Sequence, residues 1–509
     1  MRKIKRKVAL HPIMAYLVLI CITIVISGIL GLFEISTNYN VINAVRGNIE
    51  SSTAAVNSLF NLSGLKLIFS QTVSNFSSFA PLSMLIIILI GIGIMDKSGF
   101  LQSFFSLLTV KADKFKVTFI ISLILILAGI AGDIMFIVLI PIVALFFKYN
   151  KRNPIAGIVM SFAALTFGHG INIFINSIDS SLLSYTKLAA ESIDSTYNIS
   201  IFMSLFIMIV LTLLLAFVIA TITEKYVIPN IGKYEFDQRE EFYLDKKKKR
   251  GLIFSLFIGA IYILIFIYNI IPGLPLSGNL LDYSQDLYID KLFGYNSFFN
   301  QGFVFVITIF FVLLGIFYGI GAKTIKNNHD VSNYLGHSLD GIGKTLVLIF
   351  FASTFISIFK VTGIGEVVTA SLANLINASK FTGVPLILLT FACIMVATIF
   401  LPSPITSWSI LSGVVVPVFM NADMTPEFAQ LVFRLATDAT YGLTPIMAYF
   451  VIYLAFINMY SDDDNPPTLT KSVKYLLPYL GLVLVVFLGA LILLYITGLP
   501  FGISTVATL

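Results

Sequence analysis

Hydrophobic positions in this chain fall in long unbroken runs, not in alternating or one-sided patterns. Segments such as LTLLLAFVIATIT at 211–223 and LVLVVFLGALILLYI at 482–496 are apolar on every face, the mark of a helix surrounded by lipid or by other helices. A membrane β-barrel would alternate apolar and polar residues with period two, and these runs do not. The run from Ile13 to Phe33 exceeds a signal-peptide core and lacks a small-residue cleavage pattern, which predicts a retained first span.

The polar punctuation between runs predicts the organisation. Spans are expected near 9–33, 80–95, 154–178, 200–222, 251–271, 302–320, 343–360, 426–455 and 473–497, about nine in all. Two further apolar stretches do not fit as single spans. Residues 116–147 lie between the basic segments KADKFK (111–116) and KYNKRN (148–153), which favour the same, cytoplasmic side, and are broken by AGIAGD at 128–133. Residues 383–420 are broken by LPSP at 401–404. Each is expected to be a re-entrant hairpin, since irregular backbone at membrane depth is tolerated where protein or a cavity surrounds it. The expected fold is all-α, with an inverted-topology repeat. It divides into a first span and polar external segment (1–79), repeat 1 (80–222), a cytoplasmic loop with scaffold spans (223–342), repeat 2 (343–455) and a last span (456–509).

The repeat shows in order as well as polarity. Asp133 precedes Pro141, and NPIAGIVMSFAALTFGHGINIFIN follows; Trp408 precedes Pro417, and MTPEFAQLVFRLATDATYGLTPIM follows. Transporters commonly place their site where two such broken elements meet.

Composition sharpens the class. Only 11% of residues are charged, against about 25% in a soluble domain, and mean hydropathy is +0.95. The basic run MRKIKRK at 1–7 predicts a cytoplasmic N-terminus. The net charge of +6 lies between spans and does not point to nucleic acid. Both cysteines, Cys21 and Cys393, sit in apolar runs, which argues against a disulfide or a cysteine metal site. Enzyme motifs are missing: GIGKT at 341–345 has Ser338 where a phosphate loop needs its first glycine, and there is no H-E-x-x-H or G-x-S-x-G.

Candidate chemistry lies near the breaks. Arg434 falls inside a span, where an arginine costs roughly 2.5–3.5 kcal/mol; it suits a carboxylate ligand or a pair with Asp438 one turn on. Asp133, at the first break, suits a cation or proton site, with Na⁺ one candidate, or a helix cap. Asp179 in NSID is either a binding carboxylate or a cap. Trp408, the only tryptophan, suits an aromatic ligand or packing. Pro426 reads as a helix-start proline. Asn172, Asn176, Thr440 and Thr444 could supply neutral oxygens or join helices. His169, between two glycines, reads first as packing and second as a proton relay.

SFAPLSMLIIILIGIGIMDKSGF, GDIMFIVLIP, NPIAGI and the spacing W-x8-P-x8-P-x7-R from Trp408 through Pro417 and Pro426 to Arg434 resemble the AbgT (p-aminobenzoyl-glutamate transporter) family over nearly the whole chain. The resemblance implies a homodimer with nine spans and two hairpins per protomer, and cation-coupled transport of aminobenzoyl-glutamate-like molecules or export of sulfonamide antimetabolites. It also implies substrate contacts at Asp179, Trp408, Pro426 and Arg434. The chain departs from the family pattern at the breaks. Ala128, Gly129 and Gly132 precede Asp133, Pro404 and Ile405 precede Trp408, Thr437 stands where an aspartate is usual, and Tyr441 replaces an asparagine.

The reading is a secondary active transporter of small organic anions in a bacterial inner membrane, an exporter being within the class. It needs no cofactor beyond a coupling ion, H⁺ or Na⁺, at Asp133, Asn172, Asp438 or Thr444. A channel for small solutes is the alternative, with an intramembrane enzyme behind it.

Overall fold

The computed structural model describes residues 10–43, 47–109, 113–232, 234, 244–294, 296–461 and 468–509. The basic run at 1–7, residues 111–112 of the segment 111–116, and 233 with 235–243 inside the charged stretch 224–250 lie outside them. Among the described residues nine helices are long and apolar enough to cross a bilayer: Pro12–Leu32, Leu62–Ser98, Lys114–Ala131, Leu205–Ile231, Lys246–Ile270, Phe298–Ala322, Gly343–Val361, Gly383–Phe400 and Leu469–Thr497. Pro426–Leu443 and Ala448–Met459, bent by 40° at a short break, together make a tenth. Asp113, Asp245, Ser297 and Thr468 each accept a hydrogen bond from the backbone N–H three residues on. Spans thus begin where a polar side chain can hold an otherwise unpaired helix-start donor.

The chain forms two compact units. The early unit comprises Ala80–Leu183 and Leu205–Ile342; the late unit comprises Met1–Phe79, Ser184–Ser204 and Gly343–Leu509.

In the early unit, α1 (Lys114–Ala128) and α2 (Ile134–Tyr149) flank a break at 129–133, where Gly132 takes a φ of +73° that a side chain would strain. Helix α3 (Pro154–Phe167) packs on α2, and Leu205–Ile222 packs on α1. The span expected over 154–178 is shorter than the sequence suggested. Its helix ends at Phe167, residues 168–176 are irregular through GHG, and α4 (Ser177–Glu191) follows, its residues from Ser184 on belonging to the late unit. Ala80–Ser98, Lys246–Ile270 and Phe298–Ala322 pack together. A Cβ on Gly321 would come 2.7 Å from Gly251 Cα, so two spans meet there backbone to backbone, as small residues allow in membranes.

The late unit corrects the all-α expectation. The polar segment after the first span carries an antiparallel hairpin, β1 (Ser36–Asn43) and β2 (Asn48–Ala55), in register from Ser36↔Ala55 to Asn43↔Asn48. Its inward side is apolar: Ala54 packs with Val367, Ala370 and Ile410. A helix that the sequence did not reveal, Ile364–Ser379, presents Ser371 and Asn374 to β1, bonding Thr37 Oγ1 at 2.9 Å and Asn38 O at 3.0 Å. Helices α5 (Gly383–Phe400) and α6 (Pro404–Met420) flank the second break, and α7 (Pro426–Thr440) and α8 (Ala448–Met459) form the bent pair. The last residues fold back over the start of α7. The Thr425 N–H donates to Ala507 O at 3.1 Å, the Thr425 hydroxyl to Val506 O at 2.7 Å, and the Leu509 N–H to Asp423 O at 3.1 Å.

Candidate functional site

Helix α7 is the unusual element of the late unit, because all its residues are buried and several are polar or charged. It starts conventionally. Pro426 occupies the first helical position and Thr425 caps it, accepting from the Phe428 N–H at 3.3 Å. Glu427, Gln430, Arg434 and Asp438 then recur at i, i+3, i+7 and i+11. At about 100° per residue they fall within about 80° of one another. A charged stripe buried in an apolar bundle is costly and marks function more often than packing.

The N-terminal half of that stripe is held by side chains from the Ser184–Ser204 segment of the same unit. The Thr186 hydroxyl donates to Gln430 Oε1, and Thr186 Oγ1 in turn accepts the indole N–H of Trp408 at 2.9 Å. The Tyr197 hydroxyl donates to Glu427 Oε2 at 3.0 Å. Trp408, on α6, is fully buried, and its ring lies 4.4 Å from that of Phe433 at 31°. The indole is therefore fixed at its N–H edge by Thr186 and against its ring by Phe433. Arg434, the next residue after Phe433, is 2% exposed.

The C-terminal half faces the second break. Thr440 donates to Met395 O at 3.1 Å and Thr444 to Ile399 O at 2.7 Å, holding carbonyls in the last turns of α5. Thr444 Oγ1 also accepts from the Ile446 N–H at 3.3 Å, so this hydroxyl joins two breaks. A cleft of about 210 Å³ opens beside them, lined by Lys360, Glu366, Leu401, Pro402, Ser403 and Thr406 among others.

The early unit holds a second, smaller constellation. Asp133 stands at the cap position of α2, but its side chain makes no cap bond; its Oδ1 lies 3.1 Å from His169 Nε2. His169 is buried and the Asp133 side chain is 35% exposed, so the pair is open on the carboxylate side. Asn172 donates to Ile126 O at 3.1 Å and Leu127 O at 3.0 Å, and accepts from the Phe174 N–H at 3.1 Å, tying the irregular segment to the end of α1. Asp179 and Asn176 exchange hydrogen bonds with each other's backbone N–H at the start of α4: Asp179 N–H to Asn176 Oδ1 at 2.8 Å, Asn176 N–H to Asp179 Oδ2 at 3.3 Å.

Of the residues singled out from sequence, Trp408, Pro426, Arg434, Asp438 and Thr444 gather in the late unit, while Asp133, Asn172 and Asp179 belong to the early one. His169 joins Asp133. Thr186, Tyr197, Glu427 and Gln430 escaped notice. The last two carried a usable signal in their spacing to Arg434 and Asp438; Thr186 and Tyr197 carried none, because their partners are more than 200 residues away.

A many-span helical protein with a buried charged helix beside a broken hairpin is a membrane transport protein in class. The chain belongs to the AbgT transporter family, whose model matches residues 4–509. It is a member of a transporter family and not an enzyme. It is 25% identical over 503 residues to the p-aminobenzoyl-glutamate transport protein of Escherichia coli (strain K12), covering 97% of this chain and 93% of that one. Among solved structures it is similar to the YdaH transporter of Alcanivorax borkumensis, with 23% identity, a TM-score of 0.48, and 97% of this chain and 100% of that one covered. It is also similar to MtrF of Neisseria gonorrhoeae, described as illuminating a class of antimetabolite efflux pumps, with 26% identity, a TM-score of 0.49 and 98% of each chain covered.

Proposed function

We propose that this protein is a secondary active transporter of small organic anions that carry an aryl group, such as p-aminobenzoyl-glutamate, in a bacterial inner membrane. The observation that carries the reading is the buried stripe of α7. Arg434 would hold a carboxylate or sulfonyl group through charge-assisted hydrogen bonds, and Trp408 would give its face to the aryl ring once Phe433 yields it. The E. coli relative, named for p-aminobenzoyl-glutamate, supports that ligand class.

Coupling would run through the early unit, with Asp133 taking a proton or Na⁺. The 3.1 Å contact to His169 favours the proton, because the pair sets an imidazole nitrogen beside a carboxylate oxygen, two atoms that can share one proton. Asn172 and Thr444 already use their polar atoms on backbone at the breaks, which weighs against them as ion ligands.

The architecture behind this reading is an inverted repeat with two re-entrant hairpins, each followed by a proline-started helix, in a homodimer with a cytoplasmic N-terminus. A parallel in hydrogen bonding supports the repeat. Asn172 after α3 binds carbonyls near the end of α1, and Thr440 and Thr444 at the end of α7 bind carbonyls near the end of α5.

The test is reconstitution of the full chain in proteoliposomes. Labelled p-aminobenzoyl-glutamate should accumulate or be extruded under an imposed pH or Na⁺ gradient and exchange with unlabelled compound. Wild-type protein that does neither, or an Arg434→Ala variant that does both as well as wild type, would overturn the reading.

A further inference from the structure

Glu427 has no part in the scheme above, yet it is a carboxylate 6% exposed on a helix whose every residue is buried. None of the ion pairs among the described residues includes it. Its side-chain partner is the Tyr197 hydroxyl, which donates to Oε2 at 3.0 Å. Tyr197 lies in the irregular stretch after α4. Burial first, and the neighbouring carboxylate second, push its hydroxyl well above the usual phenol range, so it remains a donor.

The elements around Glu427 offer little other charge. Helix α5 contributes Cys393 as its titratable side chain and α6 none. The last span contributes Tyr495, stacked on Phe428. Asp194 acts on Tyr197, Asp423 precedes α7, and the Lys187–Glu191 pair on α4 is partly exposed. On α7 itself the charged groups beyond Glu427 are Arg434 and Asp438. A carboxylate removed from water without a cation is kept ionised only by hydrogen bonds and the helix N-terminus. Here these amount to one hydroxyl and the residue's own backbone N–H at the helix start, with no cation, so the charged and neutral forms are both accessible.

We propose that Glu427 is a proton-binding site at the N-terminal end of the anion stripe, and that it takes up a proton when an organic anion binds at Arg434. This rests on the transport reading and adds to it a coupling residue distinct from Asp133. Glu427 and Arg434 share one helix face and are seven residues apart, about 10 Å at 1.5 Å per residue. Across that distance in a poorly polar interior, an ionised Glu427 weakens the binding of a second anion by on the order of tenfold. Linkage is reciprocal, so anion binding raises the proton affinity of Glu427 by the same factor. The proton comes from water and adds to Oε1, leaving Oε2 to accept from Tyr197. Each bound anion is then accompanied by one proton, which lowers the negative charge carried with it by one.

Trp408 is the only tryptophan, so intrinsic fluorescence of the full chain in detergent can follow p-aminobenzoyl-glutamate binding across pH. In wild type the Kd should rise by about tenfold from acid to alkaline pH, as Glu427 ionises. In Glu427→Gln the rise should shrink to under twofold. Tyr197→Phe, which removes a donor to the ionised form, should move the midpoint to higher pH. A Glu427→Gln protein that keeps the wild-type pH dependence, or a wild type that binds without any, overturns the proposal. Infrared difference spectra between high and low pH, recorded without ligand, read the site independently. The protonated-carboxyl signal should lose the component of one buried carboxyl in Glu427→Gln; a variant spectrum identical to wild type in that region overturns the proposal. Absence of p-aminobenzoyl-glutamate binding with that difference observed would instead remove the ligand reading and leave the proton site standing.

Discussion

Helices α3 and α7 hold matching places in the chain and carry opposite chemistry. Each follows a broken helical pair whose second member contains an internal proline, Pro141 or Pro417. Each starts with a capped proline, behind Asn153 or Thr425, and is buried over nearly all its length. Helix α3 then turns its hydroxyls inward on itself: Ser161 donates to Gly157 O and Thr166 to Phe162 O, each at 2.8 Å. Helix α7 instead displays Glu427, Gln430, Arg434 and Asp438 in a line. Polarity in the early unit is displaced to the neighbouring breaks, where Asp133 and His169 meet. On the proposed transport reading, the two helices would serve two tasks. A helix that carries a long charged stripe can meet an organic molecule along its length, whereas a carboxylate–imidazole pair at a break suits a single small cation or proton.

Substitutions on the two sides should separate those tasks. The largest effect is expected from Arg434→Ala, which removes the cation of the stripe and should cut p-aminobenzoyl-glutamate transport on the order of 100-fold, read as initial rate in proteoliposomes. A loss that Arg434→Lys restores in full would argue for bulk charge and against a forked contact. Asp133→Asn should act on coupling, lowering gradient-driven accumulation roughly tenfold because an amide neither takes a proton nor balances a cation. If it weakened ligand binding as strongly as Arg434→Ala does, the division between the two sides would fail.

Thr186→Val should come next. It leaves the Trp408 N–H without its acceptor at a cost of about 1–3 kcal/mol, and should both shift Trp408 emission and weaken ligand binding several-fold. Emission identical to wild type would show that Thr186 does not fix the indole. The mildest pair is Asn172→Ala and Thr444→Val, the matching ties at the two breaks. Each strips hydrogen-bond donors from helix-end carbonyls and should lower stability by about 1–3 kcal/mol in thermal unfolding. Unequal losses would sharpen the comparison, since Asn172 holds two carbonyls and Thr444 one.

Sequence made some of this visible and hid the rest for physical reasons. The spans stood out because an uninterrupted apolar run has few other uses. Breaks at 128–133 and 401–404 stood out because glycine and proline interrupt such runs, and Arg434 because charge there is costly. The hairpin of β1 and β2 was obscured by its composition: Ser, Thr and Asn outnumber apolar residues, and only a few positions such as Ile42 and Ala54 point inward. Asp133 was read with a helix cap as one alternative, but His169, from beyond the next helix, engages it at a position where a cap bond to the backbone could have formed. The partners of Trp408 and Glu427 were beyond reach, because Thr186 and Tyr197 are brought to them by tertiary folding and announce nothing locally.

The fold-back of the final residues has a practical side. Val506 and Ala507 hold Thr425, the cap of α7, and Phe501 lies 6.0 Å from the ring of Phe428 one turn into that helix. A purification handle fused directly to Leu509, or a truncation that trims it back past Thr505, would tug on the anchorage of the helix that bears Arg434. Labels and reporter fusions are better attached through a spacer beyond Leu509 or at the opposite end of the polypeptide, or altered activity will be blamed on chemistry when the fault lies in the handle.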